Sequence, residues 1–178
     1  MNELAMKIKH PKRRGEWAEL KFMAAAAEQG LCVTKPWGET AQYDFVVEHK
    51  GRFVRVQVKS TGFKDRGGYS CSVRGSRGAY VGDPFDFVAI YVVLEDVWFV
   101  IPEAVVHGRW SVAVYPGLKK SKYGRYRENW EALKMLSAVS YQPSAISRQG
   151  SQSPHPISQR ARDKGGAPSR SNKNSNSP

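Results

Sequence analysis

The chain has 178 residues and carries 28 Lys and Arg against 16 Asp and Glu, for a formal net charge of +12. That length fits one compact domain plus a tail and argues against two domains. The basic excess favours a polyanionic partner over a neutral small molecule, because Lys and Arg contacts release the counterions condensed on phosphates. Two cysteines, Cys32 and Cys71, are too few and too far apart for a disulfide framework or a zinc site, and read as small apolar residues in a reducing compartment.

In chain order, Met1 to Gly15 is polar and basic, and residues 1–11 are expected to form a flexible N-terminus. Gly15 to Gln29 carries Ala18, Leu20, Phe22, Met23, Ala26 and Ala27 with no proline and stops at Gly30, which predicts an amphipathic helix. Cys32 and Val33 form a short strand, and Thr34 to Gln42, with Pro36 and Gly38, is a loop. Tyr43 to Glu48 and Phe53 to Ser60 read as a hairpin joined through His49, Lys50, Gly51 and Arg52. The glycine-rich basic segment Gly62 to Gly82 holds a strand at Tyr69 to Val73. Phe85 to Val93 and Val97 to Ile101 form a second hairpin across Glu95 and Asp96, and Ser111 to Tyr115 is another strand. Trp130, Leu133, Leu136 and Val139, three apart, predict a closing helix over Tyr126 to Val139. The longest apolar run, Phe87 to Leu94, is far short of the roughly 18 residues a membrane span needs, so a cytoplasmic protein with no membrane partner is expected.

The charge is spread over both parts of the chain. From Gln142 on, Arg148, Arg160, Arg162, Lys164, Arg170 and Lys173 face a single acid, Asp163, which leaves the preceding part basic as well. Residues 142–178 are otherwise Ser, Pro, Gln, Asn and Gly, too polar to offset chain entropy by burial, so a disordered basic tail is expected after a folded domain at 12–141. Such a tail is either a mobile arm adding phosphate contacts or an unselected extension.

Alternation along the second hairpin strand decides which residues act together. Val54, Val56 and Val58 point to one face, and Arg55, Gln57 and Lys59 to the other. With the valines against a helix, the polar face opens on a cleft into which Asp44 projects if the register allows. An ordinary solvated sheet surface has the same pattern.

Taken together, Arg13-Arg14-Gly15-Glu16-Trp17-Ala18-Glu19, Tyr43-Asp44-Phe45-Val46-Val47 and Gln57-Val58-Lys59 resemble the PD-(D/E)XK nuclease superfamily, in the order helix, hairpin, lysine that the superfamily uses. The likeness is to the branch of group I intron-encoded homing endonucleases, where glutamine also precedes the lysine; archaeal Holliday junction resolvases look similar over the same elements. It spans Lys12 to Val139, with Tyr43 standing where the motif has proline. The resemblance implies a restriction-endonuclease-like α/β (α+β) fold, a mixed central sheet flanked by helices. It also implies DNA as substrate, Mg²⁺ or Mn²⁺ as cofactor, and a homo-oligomer, dimer or tetramer, since such nucleases need two sites to cut two strands.

The residue types match the chemistry implied. Phosphodiester hydrolysis is very slow uncatalysed, and a site for it must neutralise phosphate charge and supply hydroxide near neutral pH, which Mg²⁺ does on hard oxygen ligands. By resemblance, Asp44 is the principal metal ligand, Gln57 offers an amide oxygen, Lys59 orients the attacking water, and Glu19 completes the site. Glu16, three residues before Glu19 on the same helix, competes for that last role; the resolvase-like run favours Glu19. Gln57 removes one charge, so either the site is adapted to an amide or it has decayed to a DNA-binding module that cuts nothing.

Competing signatures fail. Gly67-Gly68-Tyr69 and Tyr80-Val81-Gly82 imitate a GIY-YIG nuclease motif, but the helical arginine that family needs is missing from Asp83 to Leu94. His10, His49, His107 and His155 are scattered, and no nucleotide-binding glycine loop occurs. DNA contacts are expected from Arg13, Arg14, Lys35, Lys64, Arg74, Arg77, Lys120 and Lys122, with Trp37 available to stack on bases. A protein-interaction role in a mobile-element or defence system has only the tail composition in its favour.

Overall fold

The computed structural model describes residues 8–135 except 39, 76, 77, 79 and 81. Helix α1, Pro11–Glu28, is followed by β1 (Cys32–Thr34), β2 (Phe45–His49) and β3 (Arg52–Thr61). Next come β4 (Lys64–Asp65), β5 (Gly68–Ser72), β6 (Phe87–Val92), β7 (Val97–Pro102), the short helix α2 (Glu103–Val106) and β8 (Ser111–Val114). A 3₁₀ turn at Gly124–Tyr126 and a one-turn helix α3, Glu131–Lys134, end the described part. None of these helices is long and apolar enough to cross a membrane.

The strands form a five-stranded sheet in the order β1-β2-β3-β6-β7 and a three-stranded sheet in the order β4-β5-β8. In the larger sheet β3 and β6 run parallel and every other neighbouring pair is antiparallel. Lys50 and Gly51, both at positive φ, turn β2 into β3, the backbone that a two-residue hairpin demands because its twist matches that of the strands. This tight turn fixes the register at Phe45 opposite Val56, which sets Asp44 beside the Gln57–Val58 peptide.

Two apolar layers hold the sheets. On one face Val54, Val56 and Val58 pack under α1 with Ala18, Phe22 and Ala26. Phe22 stacks on Phe45 at 5.4 Å between ring centroids and meets Trp98 and Trp130 edge-on or tilted at 5.6 and 5.8 Å. Each fully buried ring of this kind contributes roughly 1.5–3 kcal/mol. The opposite face is covered by the smaller sheet, where Tyr69, Cys71, Val112 and Val114 pack on Val88, Ile90 and Phe99.

Four expectations need correction. Helix α1 begins at Pro11, not Gly15, because proline suits the first helical position, whose N–H is unsatisfied anyway. Its buried stripe is Ala18, Phe22 and Ala26 at a spacing of four, and Leu20 and Met23 face outward. Cys32 is exposed, whereas Cys71 is buried and its thiol is pushed up to about 12 by burial. The closing helix expected over Tyr126 to Val139 is reduced to a 3₁₀ turn and one α turn within the described residues. Glu128 adopts a positive φ, donates its N–H to the Trp98 carbonyl at 2.8 Å, and accepts from the Trp98 N–H at 2.6 Å and the Trp130 indole at 2.8 Å. Two bonds to Trp98 on the sheet edge and one to the Trp130 indole outcompete continuation of a helix. Leu136, Val139 and residues 142–178 lie outside the described residues, as do residues 1–7.

Candidate active site

Asp44 immediately precedes β2, and its backbone N–H already bonds the Val56 carbonyl at 3.0 Å. Its carboxylate therefore turns toward the next pair of β3. Asp44 Oδ2 accepts the Val58 backbone N–H at 2.7 Å and the Gln57 side-chain amide. Gln57 is 7 % exposed, one of two buried polar residues among those described. Its amide nitrogen also donates to the Val58 carbonyl at 3.3 Å, which fixes the nitrogen toward Asp44 and leaves the amide oxygen directed elsewhere. Both bonds to Asp44 fall on Oδ2, so Oδ1 remains available among the described residues.

The electrostatics are those of an under-compensated acid pair. Burial pushes the Asp44 carboxyl up to about 6, and the charge of Glu19 adds to the rise. The Val58 N–H, Lys59 and Lys35 pull the other way without cancelling it. The charge of Glu19, on α1, reaches Asp44, whereas the exposed Glu16 acts on Lys35. Lys35, in the segment after β1, bonds Glu19 at 2.7 Å, and that bond raises the lysine above its ordinary range. Lys59, half-buried on β3, holds its ammonium 5.7 Å from the centre of the Tyr80 ring. Groups from α1, the β1–β2 segment, the start of β2 and the middle of β3 thus share one field.

A family model described as PD-(D/E)XK endonuclease matches residues 9–133, which takes in α1, both sheets and α3 up to Leu133. The chain belongs to the PD-(D/E)XK endonuclease family. Among solved structures it is similar to a bacterial homing endonuclease, I-Ssp6803I, with 28 % identity and a TM-score of 0.61 over 70 % of this chain and 91 % of that one. No match was found among curated proteins. The fold is restriction-endonuclease-like, a central mixed sheet with few helices, and the family makes the chain a nuclease.

PD-(D/E)XK nucleases typically use divalent metal ions, and the donor set here fits one. Asp44, Glu19 and the Gln57 amide are all hard oxygen donors, and the burial and like charge that raise Asp44 are what a cation would relieve. No group of three or more His, Cys, Asp or Glu suited to a metal occurs among the described residues, so water and phosphate oxygens would have to complete the coordination.

The remaining sequence-named residues are dispersed. Arg13 is exposed and Arg14 half-buried on the first turn of α1, and Trp37 is fully exposed three residues after Thr34. Lys64 lies over Tyr69, Lys122 over Tyr123 and Arg74 over Trp110, at 5.8, 5.4 and 5.0 Å from the ring centres. Lys120 is exposed, and Arg77 lies outside the described residues. Sequence reasoning missed the Val58 N–H as an Asp44 donor and Lys35 as the partner of Glu19. Only the second had a signal, in that Pro36 and Gly38 mark a turn returning the chain toward α1.

Proposed function

We propose that the protein is a divalent-metal-dependent DNA endonuclease, of homing-endonuclease or junction-resolvase type, with Glu19, Asp44, Gln57 and Lys59 as its catalytic set. The observation that carries this reading is the meeting of the Gln57 amide and the Val58 N–H on one oxygen of the Asp44 carboxylate, within the span matched by the endonuclease family and in the field of Glu19, Lys35 and Lys59. Asp44 Oδ1, Glu19 and the Gln57 amide oxygen would hold Mg²⁺ or Mn²⁺, which supplies charge neutralisation at the scissile phosphate and acidifies a bound water. The Val58 N–H and Gln57 amide keep the Asp44 carboxylate in one orientation before the metal arrives. Lys59 faces the same side of β3 as Gln57, so its ammonium orients the attacking water and bonds a phosphate oxygen as negative charge builds. Trp37, Arg13, Arg14, Lys64, Arg74, Arg77, Lys120 and Lys122 supply groove and backbone contacts, with the basic tail at 142–178 adding weaker ones. The endonuclease unit is assigned to 12–141, it acts in the cytoplasm, and a dimer or tetramer supplies the two sites that cut the two strands.

Incubation of the purified chain with plasmid and branched DNA in Mg²⁺ or Mn²⁺ tests this. Cleavage is expected, and loss of it in Asp44→Ala and Lys59→Ala, by at least about 10²-fold each. Cleavage that survives either substitution intact overturns the assignment.

A second reading, a DNA-binding module that cuts nothing, is favoured by one observation, the engagement of Gln57 with Asp44 in place of a second acid. It requires salt-sensitive DNA binding without cleavage in any divalent metal, and activity gained on Gln57→Glu.

A further inference from the structure

Beside the catalytic set lies a cleft of about 600 Å³, between the end of β3, β5, the residues after β6, and the first turn of α1 with the segment that leads into it. That volume is within the range of pockets that enclose a small ligand. Its lining includes two cations, Lys9 and Arg14, and no carboxylate. Neither cation makes an ion pair among the described residues. The hydroxyl-bearing Ser60, Ser70 and Ser72 line the cleft too, with Val93 and Leu94 as an apolar wall.

Phe63 belongs to the same lining and is 69 % exposed, the condition of a ring with a free face. Its backbone is fixed, because the Thr61 hydroxyl accepts the Phe63 N–H at 3.2 Å while donating to the Ser70 carbonyl at 2.6 Å. Thr61 is two residues beyond Lys59 on the same face of β3, a displacement of about 7 Å along an extended strand. The cleft is thus about one strand repeat from the proposed point of cleavage.

Positive charge without acid selects a phosphate, the apolar wall with an exposed aromatic selects a planar base, and the volume admits one nucleotide. From this we infer that the cleft receives a single unpaired nucleotide of the DNA strand, with its phosphate on Lys9 and Arg14 and its base against Phe63. This inference rests on the DNA endonuclease reading and gives it a substrate class: DNA with a nucleotide already out of the stack, at a gap, junction or mismatch, or one easily extruded. A paired base must first be unstacked, at a cost that is least where pairing is already lost.

The test uses the full chain in EDTA with two end-labelled duplexes of one sequence, one intact and one with a short gap carrying 2-aminopurine at successive positions. Anisotropy reports binding and 2-aminopurine emission reports the base environment. The gapped duplex is expected to bind more tightly, with an emission change confined to one position. Phe63→Ala should lower the ratio of gapped to intact affinity about fivefold or more, the lower end of what a lost stacking platform costs, and remove that emission change. Lys9→Gln combined with Arg14→Gln should lower the same ratio and flatten its salt dependence. Binding of both duplexes with equal affinity, or an emission change that survives Phe63→Ala, overturns the pocket and leaves the nuclease reading standing. Free dAMP that binds as tightly as the gapped strand overturns a strand-borne ligand. No binding to either duplex at low salt overturns the DNA reading itself.

Discussion

Two charged residues thirteen and two positions from Gln57, Asp44 and Arg55, end up in opposite electrostatic situations. Arg55 is clamped: its guanidinium bonds both Asp86 oxygens at 2.9 and 3.3 Å, the Asp83 carboxylate at 3.0 Å and the Asp83 carbonyl at 2.6 Å. Those bonds, Asp86 foremost, raise it well above its ordinary range. The Asp86 carboxylate also takes the Arg55 backbone N–H at 2.6 Å, and the Asp86 N–H returns to the Arg55 carbonyl at 2.9 Å. This closed set of bonds joins β3 to the start of β6, where the chain must begin a parallel pairing. Asp44, by contrast, is raised toward neutrality by burial and by Glu19. A charge that serves the fold is given all its partners, whereas the proposed metal ligand is left wanting a cation.

The sharpest way to break this contrast is Asp44→Asn. The carboxyl sits near 6 in the folded chain and near 3.9 when unfolded, so the folded state holds its proton more tightly. For an acid raised on folding, stability is greatest below about pH 4 and falls as the pH rises through about 6. In EDTA, Asp44→Asn should therefore stabilise the chain by up to roughly 3 kcal/mol at pH 8 and by little at pH 4, read from urea midpoints at each pH. Cleavage in metal should be lost in the same variant. A destabilised Asp44→Asn at pH 8 would show that the carboxylate is a structural charge like Arg55.

Arg55→Ala should do the reverse, destabilising by about 2–3 kcal/mol because Asp86 keeps its burial and loses its cation. Mn²⁺ affinity, followed by electron paramagnetic resonance, should stay within about twofold, since the Arg55 guanidinium is engaged by Asp83 and Asp86 and is not among the main influences on Asp44. Gln57→Glu replaces a donor with a second carboxylate beside Asp44, and should cost about 2 kcal/mol in EDTA, recovered on addition of Mn²⁺. A variant equally stable with and without metal would count against an amide chosen to hold Asp44. The smallest effect belongs to Lys35→Ala. Its ammonium is largely exposed, so loss of the Glu19 pair should change stability by less than about 1 kcal/mol. Removal of a cation that competes for Glu19 should tighten Mn²⁺ binding a few-fold, and weaker binding would make Lys35 a support of the metal site.

Much of this was legible residue by residue. The alternation of Val54, Val56 and Val58 with Arg55, Gln57 and Lys59 told which side of β3 meets the helix, and those valines are buried under α1. Lys50-Gly51 marked the hairpin turn, and the apolar runs at 87–92 and 97–101 became β6 and β7. The described part of the helix expected over Tyr126 to Val139 was misread because spacing by three at Trp130 and Leu133 reports burial of both, not the route by which the chain brings them there. Glu128 diverts that route through contacts to Trp98, 30 residues away.

The sequence by itself determined the family motifs, the strand faces and the candidate quartet, because periodicity and turn chemistry act between residues a few positions apart. Tertiary structure alone decided that Lys35 pairs with Glu19, and that the Gln57 amide and Val58 N–H meet on one carboxylate oxygen. These depend on how α1 seats its Ala18–Phe22–Ala26 stripe on the sheet and on the register of β2 against β3. Both are settled by packing between segments far apart in the chain, which local pattern does not encode.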